Sequence, residues 1–180
     1  MKKTLKLMAV ALLALGLFAC GESRKKITLE ELREAQSILF EKGSLNEKEA
    51  PKVAEKYCRY VKQNPNDTAA VKWLFHAMEI HVLLKNADKS EELCNQLLKQ
   101  YPQSKWAPQA LLTLGSFVYN DQLNDTAKAH AAFQRLIDEY PDSDLVDDAQ
   151  KSIEYLGMSP DEIMSLIMMN QMDVEEGEDL

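Results

Sequence analysis

Glycine is scarce here, with six in 180 residues, and no complete phosphate-cradling glycine motif is present. That argues against enzymes that hold nucleotides by such loops. Positive charge is short too: 21 Lys and Arg against 29 Asp and Glu leave a net charge of -8. A nucleic-acid binder needs a basic face to displace counterions from phosphates, so nucleic acid is not the expected partner. Histidine is limited to His76, His81 and His130. On a helix His76 and His81 lie roughly 140° apart, too far to share a metal as an i,i+4 pair does. There is no metalloprotease pattern and no recognisable nucleophile and base pair. The chemistry-poor inventory predicts a non-enzymatic binding protein with no cofactor and no metal. Apolar residues, by contrast, make up 46% of the chain. That suffices for one compact domain of roughly 150 residues and is too much for wholesale disorder.

Lys2, Lys3 and Lys6 form a basic start, followed by an unbroken apolar run from Leu7 to Phe18 and then Ala19. The run is shorter than the ~20 residues of a spanning helix, so residues 1–19 read as a secretory signal. Leu17-Phe18-Ala19-Cys20 resembles the lipobox of bacterial lipoproteins, with Phe18 bulkier than usual at its position. The resemblance implies a cut before Cys20 and lipidation of its sulfur and new amino group by palmitate-like acyl chains. Two or more chains anchor stably where one does not. Losing residues 1–19 removes three lysines and no acid, taking the charge from -8 to -11. Anionic lipid offers such a chain no attraction, so the acyl groups alone would hold it at the membrane. Residues 20–27 then read as a tether. Gly21 is not the aspartate that marks inner-membrane retention, so the resemblance favours the outer membrane and its periplasmic face.

Pro65, Pro102 and Pro141 stand 37 and then 39 positions apart, and the segments before them superimpose. Eight residues before each proline are Tyr57, Cys94 and Phe133; five before are Tyr60, Leu97 and Leu136; four before are Val61, Leu98 and Ile137; twelve before are Val53, Ser90 and Ala129. Those offsets make one helical stripe, which stops where a proline forbids helical geometry in the preceding residue. A capping residue follows each proline: Asp67, Ser104 and Ser143. A second apolar segment comes next, with Pro108 where a first-turn proline is tolerated.

This pattern resembles the tetratricopeptide repeat, a helix-turn-helix unit of about 34 residues. Leu111, Leu114, Gly115 and Val118 match its first helix; Ala129, Phe133 and Pro141 match its second. Gly115 fits a place where the two helices cross and a side chain would hold them apart. Between Gly115 and Ala129 there are two residues more than the family spacing, and either Ala77 or Met78 takes the glycine's place one unit earlier. Tyr101–Ser104 and Tyr140–Ser143 resemble the turns of periplasmic and outer-membrane members. The fold implied is all-α: a right-handed helical-hairpin solenoid of about three repeats over residues 28–156, with C-terminal capping helices. Helices are predicted at 28–42, 46–63, 67–85, 88–100, 105–120, 125–139, 143–156 and 160–170. Thr28 with Glu31, and Ser159 with Glu162, form capping boxes.

Residues 157–172 read as a capping helix. Met164, Met168 and Met172 recur every four residues, as a copper-handling stripe, an adaptable docking face or the apolar side that closes the array; we take the last. The acidic residues 173–180 read as a disordered tail. Cys58 and Cys94 are buried thiols or a disulfide. Family members usually bind peptides along the first helices, which implies Leu74, Met78, His81, Leu112, Ser116 and Tyr119 here. The expected function is a lipid-anchored scaffold that binds a protein of the cell envelope. The alternative is a lipoprotein binding a small molecule or glycan, for which Tyr119 with Asn120 and Asp121 is the candidate cluster. Cys20→Ser should abolish incorporation of a fatty-acid analogue during growth; a wild-type chain that takes up no label contradicts the anchor.

Overall fold

The computed structural model describes residues 25–41 and 43–177. The signal segment and Cys20 lie outside them. The elements are α1 (Leu29–Ser37), β1 (Phe40–Glu41), β2 (Ser44–Leu45), α2 (Ala50–Gln63), α3 (Ala70–Leu83), α4 (Ala87–Gln100), α5 (Trp106–Thr113), a π-helix (Leu114–Gln122), α6 (Thr126–Glu139), α7 (Val146–Glu154) and α8 (Pro160–Gly177). Successive helices pack on one another, α2 on α3, α3 on α4, the π-helix on α6 and α6 on α7. The result is an all-α, tetratricopeptide-like solenoid with one continuous core. No helix among the described residues is long and apolar enough to cross a membrane.

The repeat is visible in its turns. Asp67 Oδ1 accepts from the Ala69 N–H at 2.8 Å, Ser104 Oγ from Trp106 at 3.2 Å and Ser143 Oγ from Leu145 at 3.3 Å. The amides of the same three residues donate to the carbonyls of Asn64, Tyr101 and Tyr140. Each post-proline turn thus satisfies orphan donors at the start of the next helix. Asn86 and Asp125 cap the second helices through Lys89 and Lys128. Both expected capping boxes are present, at Thr28 with Glu31 and Ser159 with Glu162. Tyr57, Cys94 and Phe133 are all fully buried in their common slot. Cys58 and Cys94 are free thiols, so the disulfide is excluded in this structure.

A Cβ placed on Gly115 would come within 2.5 Å of the Phe133 ring. No real side chain tolerates that approach, so the glycine is there because α6 crosses its partner helix at van der Waals distance. The two extra residues of this unit also find their place. From Asp67 to the cap Asn86 is 19 positions, whereas from Ser104 to the cap Asp125 is 21. The onward span to the next turn is 18 in both units. The surplus therefore falls in the first helix, where the chain becomes a π-helix from Leu114 to Gln122. Wider π turns take in additional residues without moving either end of the helix.

Three expectations are corrected. The first helix does not run from 28 to 42: it ends at Ser37, and Phe40–Glu41 pairs antiparallel with Ser44–Leu45 around Gly43 at φ 84°. Glycine alone adopts that turn without strain, and the following helix starts at Ala50. The methionine stripe is not the side that closes the array: Met164, Met168 and Met169 are more than half exposed, whereas among the described side chains of this helix Ile163, Leu166 and Ile167 are half-buried. The side chain of Met172 lies outside the described residues. The acidic stretch from 173 is helical as far as Gly177, in keeping with glutamate's good helix propensity.

Gly115→Leu should lower stability by about 1–3 kcal/mol or more through overpacking against Phe133. Gln109→Leu, half-exposed on the same helix, should change it by under about 0.5 kcal/mol. Equal shifts in thermal midpoint contradict the crossing.

Candidate functional site

First helices of successive units lie side by side and leave a groove between them. Its N-terminal part is a cavity of about 450 Å³ whose walls include Leu39 and Phe40 from the hairpin region, His76, Glu79 and Leu83 from α3, and Phe117 from the π-helix. A second cavity of about 370 Å³ continues it across Leu112, Ser116, Lys151 and Tyr155. Gln109, Thr113 and Phe117 belong to both, so the groove runs unbroken from α1 to α7. Phe40, Leu83 and Phe117 are 56%, 53% and 53% exposed along it. Large apolar side chains left in water at one place mark a binding surface more often than a scattered few do.

The helices fix these residues by register. On α3 Ala70, Leu74, Ala77 and Met78 face the core, so His76, Glu79 and Leu83 fall towards the groove. His76 Nδ1 sits 2.7 Å from Glu79 Oε2, and its ring lies 5.8–6.0 Å from those of Trp73, Phe75 and Trp106. Trp106 in turn stacks at 4.9 Å on Phe75, tying the base of α5 to α3. At the far end Gln122 Nε2 donates to the Val82 carbonyl at 2.8 Å, pinning the end of the π-helix to the preceding unit.

Of the residues expected to bind, Leu112 and Ser116 line the groove. Leu74 and Met78 do not: both are fully buried in the core. Tyr119 is also buried, on the side of the π-helix that faces the second helices, with Lys128 5.4 Å above its ring. Burial and nearby Glu91 push its phenol well above the usual range. His81 points away from the groove as well; its Nδ1 is buried with no partner among the described residues, and burial followed by Lys89 depresses its pKa. The expected register was set by apolar spacing, which on a buried helix finds the core first. Of the missed residues, His76, Glu79 and Leu83 stand three and four apart, and Gln109 and Phe117 eight apart, spacings no different from those of the core.

Asn120 and Asp121 leave Tyr119 behind and line a polar cavity of about 690 Å³ with Asn124, which adjoins the far end of the groove through Ser116, Ser152 and Tyr155. Among the described residues no three His, Cys, Asp or Glu side chains come together to hold a metal. Burial raises the Cys58 thiol, and raises that of Cys94 to about 12, so neither is an activated nucleophile.

The tetratricopeptide-repeat family model matches residues 74–104 and 109–143. Those two stretches are similar to tetratricopeptide repeats. The two matched stretches are the α3–α4 unit with its closing turn and the α5–π–α6 unit with its own. The hairpin region, α1 and α2 stand before them, and α7 and α8 after. No curated protein matches the chain. Tetratricopeptide units suit protein interaction, and the groove lies on the first helices of both matched stretches.

Proposed function

We propose that the chain is a scaffold that holds an extended protein segment in the groove between its first helices, while lipid on Cys20 fixes it to a bacterial outer membrane. The observation that carries this reading is the unbroken groove with Phe40, Leu83 and Phe117 exposed along it. Extended segments gain affinity there from apolar anchors and specificity from the polar side chains between them. Confinement by two acyl chains adds effective concentration without adding contacts. The anchor rests on the lipobox-like residues Leu17, Ala19 and Cys20 and on Gly21. The partner is then a protein of the cell envelope on the periplasmic face, and the chain performs no reaction.

A second reading has an observation of its own. Tyr155, Asn120, Asp121, Asn124 and Ser152 gather around one polar cavity, which suits a small molecule or glycan better than an apolar peptide. A photo-crosslinking residue at Ser116, inside the groove, should capture a protein in living cells. The same residue at Ala131, exposed on α6, should not. Capture from Ala131 alone contradicts the groove. Glycan binding that Asp121→Ala and Asn120→Ala weaken, with no capture from either position, supports the second reading.

A further inference from the structure

The N-terminal cavity of the groove is built differently from the rest. Leu39, Phe40 and Leu45, from the hairpin region outside the matched repeats, form one wall of it, and Ile80, Leu83 and Phe117 form much of the other. Tyr57 also lines it. That residue is fully buried, its ring packs at 4.8 Å on Trp73, and its hydroxyl has no hydrogen-bond partner among the described residues. Buried hydroxyls nearly always find a partner, and an orphan beside an open cavity points to a group that arrives from outside. Among the described lining residues Glu79 carries the one carboxylate, and none is a lysine or arginine.

We propose that this cavity is a side-chain recognition pocket that takes a tyrosine or tryptophan of a bound protein segment, with a lysine or arginine beside it in sequence. The assignment deepens the groove reading and rests on it. The size is right for an aromatic ring and part of its neighbour, since about 450 Å³ lies within the range of small ligand sites. Leu39, Phe40, Ile80, Leu83 and Phe117 supply apolar walls, and an aromatic anchor gains most from such desolvation. A tyrosine O–H or tryptophan N–H reaching the floor gives the Tyr57 hydroxyl its missing partner. A plain leucine or phenylalanine anchor leaves it orphaned and binds less well for that reason. At the rim Glu79, hydrogen-bonded to His76 at 2.7 Å and open to water on its other side, offers the charge that selects a cation.

Selection of a phage-displayed random heptapeptide library on the full-length chain, followed by calorimetry with the recovered peptides, tests the pocket. Enrichment of tyrosine or tryptophan next to lysine or arginine is expected. Tyr57→Phe should hold or raise the thermal midpoint, because it removes an unsatisfied buried hydroxyl, while weakening these peptides about three- to tenfold. Leu83→Glu, at an exposed position, should abolish their binding. Glu79→Gln should weaken the peptides carrying a cation and spare their alanine versions. Tyr57→Phe that lowers the midpoint shows the hydroxyl is already satisfied within the protein, and overturns the pocket. Peptides insensitive to Tyr57→Phe and Leu83→Glu but lost with Ser116→Arg overturn the pocket and leave the groove standing. Failure to enrich any peptide overturns both. A chain that is a dimer and becomes a monomer with Leu83→Glu makes a second copy the occupant, and overturns the proposal.

Discussion

The approach of the Phe133 ring to the bare backbone of Gly115 sets the distance between the two helices of the third unit, and the groove depends on that distance. A methyl group at residue 115 would stand 2.5 Å from the ring. The ring therefore fills the space a side chain would otherwise take, and both residues are buried. Counting from the capping residues Asp67 and Ser104 puts Met78 in the glycine's place one unit earlier, while Cys94 holds the place of Phe133. Both are fully buried. The two units thus fill equivalent crossings in opposite order of size, large then small and small then large. Volume is conserved across the crossing although neither residue is, which is how close-packed interiors tolerate such exchange.

With the crossing fixed at Gly115 and the cap fixed at Asp125, the two surplus residues of the third unit have nowhere to go but the helix between them. A loop insertion would expose backbone groups that a helix keeps bonded. The wide π turns instead keep the ladder closed, and Leu123 still donates to the Val118 carbonyl at 3.0 Å. The cost is a local rotation of side chains. Phe117 turns into the groove and Tyr119 turns towards Glu91 and Lys128. One irregular helix thereby supplies Ser116 and Phe117 to the binding surface, and such segments occur often at functional sites.

Much of this was readable from spacing alone. The prolines at 65, 102 and 141 marked the turns, Asp67, Ser104 and Ser143 were identifiable caps, and the common slot of Tyr57, Cys94 and Phe133 proved buried throughout. Gly115 was legible because a glycine inside an apolar helix has few other reasons to be there. The hairpin at Phe40–Leu45 was hidden because two-residue strands carry no periodicity, and Gly43 alone signalled a turn. The groove was half legible: Leu112 and Ser116 line it, but Leu74, Met78 and Tyr119 are core and His81 points elsewhere. Core and groove residues share the same helical period, and their phase depends on the angle between neighbouring helices. Local spacing does not encode that angle. The methionines of α8 misled for a related reason, since a regular apolar stripe says nothing about whether a partner surface exists within the chain.

A double-mutant cycle between Gly115 and Phe133 measures the contact on which this account turns. Gly115→Ala should be strongly destabilising in the wild-type background by chemical denaturation, and far less so once Phe133→Leu has withdrawn the ring. The expected coupling is about 1–3 kcal/mol, as for residues in direct contact. Strictly additive effects, with Gly115→Ala equally costly beside leucine and phenylalanine, would mean that the ring does not set the crossing.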